Sequence, residues 1–169
     1  MKLSRKTMIL CSWLAVAAVA VLIFCFSAQN AEESSQVSRG FLQQTYGWFC
    51  KLFGIPCSTG SLWKFTAAWN HFVRKAAHFS IYALLGISCA NALFQTLPHR
   101  LLSVFWAWPM GSIYAASDEL HQYFVPGRSC QFSDMLLDSC GVAFGILCFL
   151  ILLLCRRNIT WSHNKPSKK

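Results

Sequence analysis

The stretch SDELHQYFVPGRSCQFSD, residues Ser117–Asp134, separates two apolar segments of a chain of 169 residues. It contains three acids, one histidine and one arginine. The uncharged segments on either side, Leu101–Ser117 and Ser139–Cys155, are each near the lower limit of roughly 17 residues for a helix that crosses a bilayer. The charged residues of the stretch are therefore expected at the edge of a membrane and not at its centre.

The composition also favours a membrane protein. Hydrophobic residues make up 55% of the chain and charged residues 12%, whereas a soluble domain carries about 25% charged residues. The net charge of +9 would suit a nucleic-acid-binding protein, but the bases cluster toward the two ends with apolar runs between them. We expect lipid to cover part of the surface, and we expect no nucleic acid among the partners.

The predicted fold class is all-α: a polytopic membrane protein with four transmembrane helices and one or two interfacial amphipathic helices in its first outer loop. The hydrocarbon core is about 30 Å thick and an α-helix rises about 1.5 Å per residue. The four predicted spans are residues 7–26, 76–97, 101–117 and 135–155. The remaining segments are an N-terminal tail, two outer loops and a C-terminal tail, residues 1–6, 27–75, 118–134 and 156–169.

The distribution of bases predicts the orientation, because four spans place both termini on one side of the membrane. That side carries no acid and nine bases: Lys2, Arg5, Lys6, Arg100, Arg156, Arg157, Lys165, Lys168 and Lys169. The opposite side carries all six acids together with the other six bases. Bases mark the cytoplasmic face, so we predict a multi-pass plasma-membrane protein with both termini in the cytoplasm and the acids outside.

Two apolar stripes at helical spacing lie within the first outer loop. The first is formed by Val37, Phe41, Trp48, Leu52 and Ile55, and the second by Leu62, Phe65, Trp69 and Phe72. Both suit helices that lie in the membrane interface, where tryptophan and tyrosine are favoured. The alternative is a loop that packs on the outer end of the domain itself.

Small residues predict a seam between the third and fourth spans. Ala107, Gly111 and Ala115 recur every four residues in the third span, and Gly141 and Gly145 do so in the fourth. Small residues at this spacing let helix backbones approach closely in lipid. The seam would hold the outer ends of the two spans together.

The acids of the opening stretch continue these small-residue faces outward. Asp118, Glu119 and Gln122 extend the face of the third span if its helix persists, and Asp134 and Asp138 extend that of the fourth. The acids of both spans are therefore expected to point into the seam.

Between the two spans the chain must reverse direction. Pro126 and Gly127 suit the central positions of a type II turn. Ser133 is a candidate cap for the fourth helix.

The second span adds a basic face, since Arg74, His78 and Tyr82 repeat every four residues and Lys75 is adjacent. The predicted outer polar cluster therefore sets four acids against five bases or histidines: Asp118, Glu119, Asp134 and Asp138 against Arg74, Lys75, His78, His121 and Arg128. The alternative is a structural ion-pair network, in which acids favour a helix N-terminus and Arg128 simply pairs with Asp134.

The nine cysteines show no zinc-binding spacing, and we expect neither a metal nor a cofactor. Most of them lie in or beside apolar runs, where cysteine packs as a small hydrophobic residue. Cys50 and Cys57 are close enough in sequence to form a disulfide, and the sequence leaves that pairing open.

Two blocks of sequence resemble the signatures of the VanZ-like family. They are RKAAHFSIYALLG, residues Arg74–Gly86, and SDELHQYFVPGRSCQFSDMLLDSCGVAFG, residues Ser117–Gly145. The segment FSAQNAEESSQVSRG, Phe26–Gly40, is similar to the one that follows the first helix in many bacterial members. The chain departs from the pattern at Ile81, where many relatives have an acid.

The resemblance implies a small bacterial integral membrane protein. The family takes its name from a member associated with low-level teicoplanin resistance, and most relatives have no assigned reaction. By matching position, the motif residues are Lys75, His78, Tyr82, Asp118, Glu119, Gln122, Arg128, Asp134, Asp138 and Gly141.

Two functions from different classes remain open. The first is an envelope protein that lowers glycopeptide susceptibility, with an outer polar cluster that binds a membrane lipid, a cell-wall precursor or a partner protein of the envelope. Its binding residues would be Arg74, Lys75, His78, Tyr82, Asp118, Glu119, Gln122, Arg128, Asp134 and Asp138.

The second function is a membrane enzyme that acts on a lipid or envelope substrate. A histidine could act as general base beside an orienting acid, or a group of acids and histidine could hold a divalent metal. The candidate catalytic residues are His78, Asp118, Glu119, His121, Asp134 and Asp138. A transporter is disfavoured, since no charge lies at mid-depth of the predicted spans.

Overall fold

The computed structural model describes the backbone of residues 4–163, and the side chains of residues 4–99 and 101–156. Its secondary structure over the described residues is all-helical, which confirms the predicted class. The helices are α1 Arg5–Ser27, α2 Ala31–Phe53, α3 Thr59–Thr96, α4 Arg100–Phe105, α5 Ala107–Tyr123 and α6 Phe132–His163. Of the predicted tails, residues 1–6 and 156–169, residues 1–3 and 164–169 lie outside the described residues.

Three of these helices are long and apolar enough to cross a membrane: α1, α3 and the part Phe132–Arg156 of α6. The predicted third span is divided between α4 and α5 at Trp106. Pro109 explains the break, because proline has no backbone N–H and its ring clashes with the carbonyl four residues earlier, here that of Phe105. A crossing by the α4–α5 segment remains a prediction.

The predicted first outer loop is a helical hairpin and not a loop with two separate helices. The second apolar stripe belongs to α3, which continues without interruption into the predicted second span. With 38 residues, α3 is about 57 Å long and exceeds the thickness of the hydrocarbon core. Helix α2 runs antiparallel beside its first half, where the rings of Tyr46 and Phe65 lie 5.0 Å apart between centroids.

Local signals fix the ends of this hairpin. A reciprocal capping box between Asn30 and Glu33 begins α2, and Gly54 ends it with a left-handed φ of 64°. The hydroxyl of Ser58 then caps α3. Cys50 is buried and Cys57 is exposed, and both are free thiols.

All five residues of the first apolar stripe are exposed: Val37, Phe41, Trp48, Leu52 and Ile55. Val37 and Phe41 nevertheless line a groove together with residues of α1 and α3. The alternative of a loop packed on its own domain therefore does not hold for Trp48, Leu52 and Ile55. The second stripe is partly covered, since Phe65 contacts α2 while Trp69 and Phe72 remain exposed.

Four helices form the bundle beneath the hairpin. The indole of Trp13 donates to the hydroxyl of Thr96 at 3.0 Å, which shows that α1 and α3 are antiparallel. The hydroxyl of Tyr114 donates to the carbonyl oxygen of Ala20 at 2.7 Å, so that α5 runs beside α1. Helix α6 runs parallel to α3. The start of α1 and the end of α6 consequently lie at the same end of the bundle.

The closest helix contact occurs at glycines, but it joins α3 to α6 and not the two helices that the sequence predicted. A β-carbon on Gly145 would strike the carbonyl of Ala83, and one on Gly86 would strike the carbonyl of Val142. The glycines of α6 thus face α3 and not α5, so the predicted glycine seam is wrong for Gly145. The same holds for Gly141, whose β-carbon would lie 2.6 Å from the carbonyl oxygen of Phe79.

Gly111 of α5 does face α6, as predicted. Ala107 and Ala115 are fully buried. A β-carbon on Gly111 would lie 2.6 Å from a methyl group of Val142. Helix α6 is therefore held between α3 and α5, with Val142 at the centre of the three helices.

We predict that Gly145→Val will lower stability more than Gly47→Val. The added side chain would meet the α3 backbone at Gly145, whereas Gly47 has open space around its α-carbon. Overpacking a tight contact costs about 1–3 kcal/mol. The apparent melting temperatures of the two purified variants in one detergent measure the difference. Equal melting temperatures would contradict the close approach of α3 and α6.

Candidate functional site

A polar pocket of about 210 Å³ lies at the end of the bundle where α1 ends and α6 begins. Its lining comes from α3, α5, α6 and the loop between α5 and α6. Seven of the predicted binding residues line it: Arg74, Lys75, His78, Gln122, Arg128, Asp134 and Asp138. The structure therefore brings most of the predicted outer polar cluster together.

The loop before α6 places Arg128. The amide of Arg128 donates to the carbonyl of Val125 at 3.1 Å and Gly127 has a φ of 75°, as expected for the predicted type II turn with Pro126 at its second position. A β-carbon on Gly127 would lie 3.1 Å from the β-carbon of Ala31. Glycine is thus required for both conformation and space, and the turn docks on the start of α2.

Arg128 joins α1 to α5 through neutral acceptors. Its Nη1 donates to the amide oxygen of Gln122 at 3.0 Å, and its Nη2 donates to the carbonyl oxygen of Phe26 at 3.2 Å. The amide nitrogen of Gln122 in turn donates to Asp118 at 3.1 Å. Burial lowers the pKa of Arg128, and the nearby guanidinium of Arg74 lowers it further, although arginine stays protonated in proteins.

Asp134 is paired with Lys75, at 2.7 Å from the ammonium nitrogen to Oδ1. The suggestion that Arg128 would pair with Asp134 is therefore wrong. Both side chains are about one-third exposed, so this ion pair adds little stability by itself. It does neutralise one base and one acid of the pocket and ties α3 to the first turn of α6.

Asp138 lies one helical turn deeper than Asp134 and is only 1% exposed. Neither of its carboxylate oxygens has a hydrogen-bond partner among the described residues. Nδ1 of His78 is 3.9 Å away. The hydroxyl of Tyr82 faces Asp118 and Asp138 without a well-formed hydrogen bond. Of these groups, His78 and Asp138 line the polar pocket, and the hydroxyl of Tyr82 and both carboxylate oxygens of Asp138 are buried without a hydrogen-bond partner in the described part of the chain.

Glu119 is buried and accepts a hydrogen bond of 3.1 Å from the backbone amide of Gln131, directly before α6. Burial raises the pKa of this carboxyl group. The bond anchors the start of α6 to α5. Ser133 was predicted to cap this helix, but α6 begins at Phe132, so Ser133 lies within the first turn and the prediction is wrong.

His121 does not join the pocket. Its ring stacks on Phe24 of α1 with centroids 4.8 Å apart, and its Nε2 is buried without a partner in the described part of the chain. No group of three or more histidine, cysteine, aspartate or glutamate side chains among the described residues is placed to hold a metal ion. The sequence had suggested a divalent-metal set of Asp118, Glu119, His121 and Asp134, and the described residues do not assemble it.

An apolar groove of about 350 Å³ adjoins the polar pocket, and sequence analysis missed it. Its lining comes from α1, α2 and α3 and includes Ile23, Phe26, Val37, Phe41, Val73 and Ile81. Arg74 and His78 line both cavities. Periodicity indicated that α2 was apolar on one face, but only tertiary packing could show which helices enclose the space beside it.

The chain matches the family model described as VanZ/LLP1 over residues 12–153. The matched region includes every residue that lines the polar pocket and the apolar groove. No curated protein and no solved structure matches the chain.

We expect Gln122→Ala to destabilise the protein more than Gln44→Ala. Gln122 is buried and bridges Arg128 to Asp118, whereas Gln44 is exposed. Leaving buried polar groups without a partner costs about 1–3 kcal/mol, and an exposed substitution changes stability by less than about 0.5 kcal/mol. Thermal unfolding of both variants in one detergent provides the measurement. A Gln122→Ala melting temperature equal to that of Gln44→Ala would rule out the bridge.

Proposed function

Because the chain belongs to the VanZ/LLP1 family, we propose that it is an integral membrane protein of the bacterial cell envelope whose polar pocket binds a ligand at the membrane boundary. The single observation that carries this proposal is the convergence of charged side chains from α3, α6 and the α5–α6 loop at one end of an apolar bundle. Charged side chains at the end of a membrane-spanning bundle are costly unless they form ion pairs or bind a ligand.

The arrangement supports binding because part of its charge is left uncompensated. Lys75 and Asp134 neutralise each other, but Arg74 and Arg128 form no ion pair with a carboxylate in the described part of the chain. A purely structural ion-pair network would pair its fixed charges. Guanidinium groups offer planar sets of donors that suit carboxylate or phosphate ligands.

We place this pocket on the outer face of the plasma membrane, with both termini in the cytoplasm. The proposal rests on the excess of bases in the tails and on Arg100 at the start of α4. The exposed apolar stripe of α2 then lies against the outer membrane interface, where its aromatic residues are favoured.

Thiol labelling tests the orientation. Cys130 is exposed in the loop between α5 and α6, so a variant that keeps it as the sole cysteine should react with a membrane-impermeant maleimide in intact cells. As the matched control, a variant with Lys6→Cys as sole cysteine should react only after the membrane is permeabilised. The reverse pattern would place the pocket in the cytoplasm and overturn the proposed orientation.

We propose that ligand binding lowers susceptibility to glycopeptide antibiotics that carry a lipid anchor, such as teicoplanin. This part rests on the resemblance to the VanZ-like family. The pocket would act where such an antibiotic meets the outer membrane surface.

Susceptibility to teicoplanin should depend on the pocket. Deletion of the gene should raise susceptibility. Complementation with Arg128→Ala or Asp134→Asn should restore resistance less than Lys51→Ala or Lys64→Ala, which change exposed bases outside the pocket. The minimum inhibitory concentration is measured at equal protein levels by immunoblot. Identical values for all four variants would show that the pocket is not the site, and an unchanged value on deletion and overexpression would remove the resistance proposal.

A membrane enzyme is the second candidate, favoured by the 3.9 Å approach of His78 to the buried Asp138. A histidine beside an acid can act as general base. Adding His78→Gln to the same complementation series separates the two functions. Glutamine keeps polar contacts but cannot exchange a proton near neutral pH. If the protein is an enzyme, this variant should therefore fail to restore resistance, and if it is a binding protein, the variant should restore most of it.

A further inference from the structure

The apolar groove and the polar pocket meet at one arginine. Arg74 lines both cavities, and it forms no hydrogen bond or ion pair within the described part of the chain. Its guanidinium carries five N–H donors. An unpaired, half-buried cation at the junction of an apolar and a polar cavity suits a ligand that is itself apolar at one end and anionic at the other.

A second cation faces the same space. Arg74 and Arg128 both line the polar pocket. Arg128 uses two of its five donors on Gln122 and Phe26, which leaves three for a ligand. Its partners are neutral, so its charge is not compensated by them.

The lining of the polar pocket carries one more fixed base than acid. Arg74, Lys75 and Arg128 stand against Asp134 and Asp138, while the carboxyl groups of Asp118 and Glu119 lie near Arg128 without lining the pocket. Lys75 holds Asp134 at 2.7 Å, and Asp138 is buried on the α6 side beside His78. The two guanidinium groups are thus the charges left available at the mouth.

The groove provides the apolar half of the site. Its volume of about 350 Å³ is within the range of ligand pockets in proteins. It lies between α1, α2 and α3, on the side of the bundle that lipid would reach. Phe26, Val37 and Phe41 are exposed along it. A chain of methylene groups seated there would bury apolar surface from both partners.

We propose that this site binds an anionic phospholipid, with its phosphate between Arg74 and Arg128 and an acyl chain in the apolar groove. The proposal rests on the function proposed above and names its ligand class. A small soluble anion would use the two guanidinium groups but would leave the groove empty. A zwitterionic lipid would bring its own positive headgroup charge close to the two guanidinium groups.

Lipid binding to the purified full-length chain tests this proposal. Delipidated protein in detergent is titrated with phosphatidylglycerol or phosphatidylcholine of identical acyl chains, and bound lipid is counted by native mass spectrometry. Wild type should prefer phosphatidylglycerol by about tenfold. Arg74→Gln should abolish the preference, while Arg39→Gln should keep it, since Arg39 lies on α2 outside both cavities.

The groove is tested separately with Ala77→Trp, which places an indole in the groove, and Ala68→Trp, which adds one at an exposed position outside it. Ala77→Trp should weaken binding of phosphatidylglycerol about tenfold and Ala68→Trp should not.

Arg74→Lys keeps a positive charge and should retain part of the preference for phosphatidylglycerol if Arg74→Gln fails to fold.

Any one of three results would contradict the proposal that the site binds an anionic phospholipid. The first is equal binding of both lipids to wild type, and the second is an unchanged preference in Arg74→Gln and Arg74→Lys. The third is full competition by millimolar inorganic phosphate together with no effect of Ala77→Trp, which would indicate a free anion site.

If any of these holds while Arg128→Ala still loses resistance in cells, the proposed function survives with another ligand. If the lipid preference holds but resistance is unaffected, the lipid site stands and the proposed function fails.

Discussion

Helices α3 and α6 approach so closely that the carbonyl of Ala83 occupies the space where Gly145 would carry a β-carbon. Gly86 faces the carbonyl of Val142 in the same way. In lipid, helices gain little from hydrophobic association, and close backbone packing supplies much of the attraction. This contact sets the separation of the two helices that supply half of the residues lining the polar pocket. It places Lys75 within 2.7 Å of Asp134.

Hydrogen bonds then orient the charged side chains that the helices bring near one another. Arg128 is held by a tight turn and reaches both α1 and α5 through neutral acceptors. Glu119 fastens the start of α6. Buried polar groups are costly without partners, yet neither carboxylate oxygen of Asp138 has a hydrogen-bond partner within the described residues. The half-buried Arg74 forms no ion pair there. Both residues line the polar pocket, and the proposed ligand site rests on this arrangement.

Predictions from the sequence succeeded where the signal was local or depended on helical period. The all-helical class follows from long apolar runs, and the turn at Pro126–Gly127 follows from residues with restricted conformations. Spacing by fours placed Arg74 and His78 on one face of α3, where both line the pocket. It also placed Asp134 and Asp138 on one face of α6. In each case the information lies within about two helical turns of the residue concerned.

What the sequence by itself determined is therefore the helical class, the approximate ends of α1, the end of α3 and the set of charged residues that gather at one end. Tertiary structure alone decided the pairings, because a helical face has no unique partner until several helices compete for it. Gly145 faces α3 although its spacing suited α5 equally well. Asp134 pairs with Lys75 and not with the Arg128 of its own loop, and His121 turns toward Phe24. The apolar groove belongs to three helices at once, so no single segment of sequence could predict it.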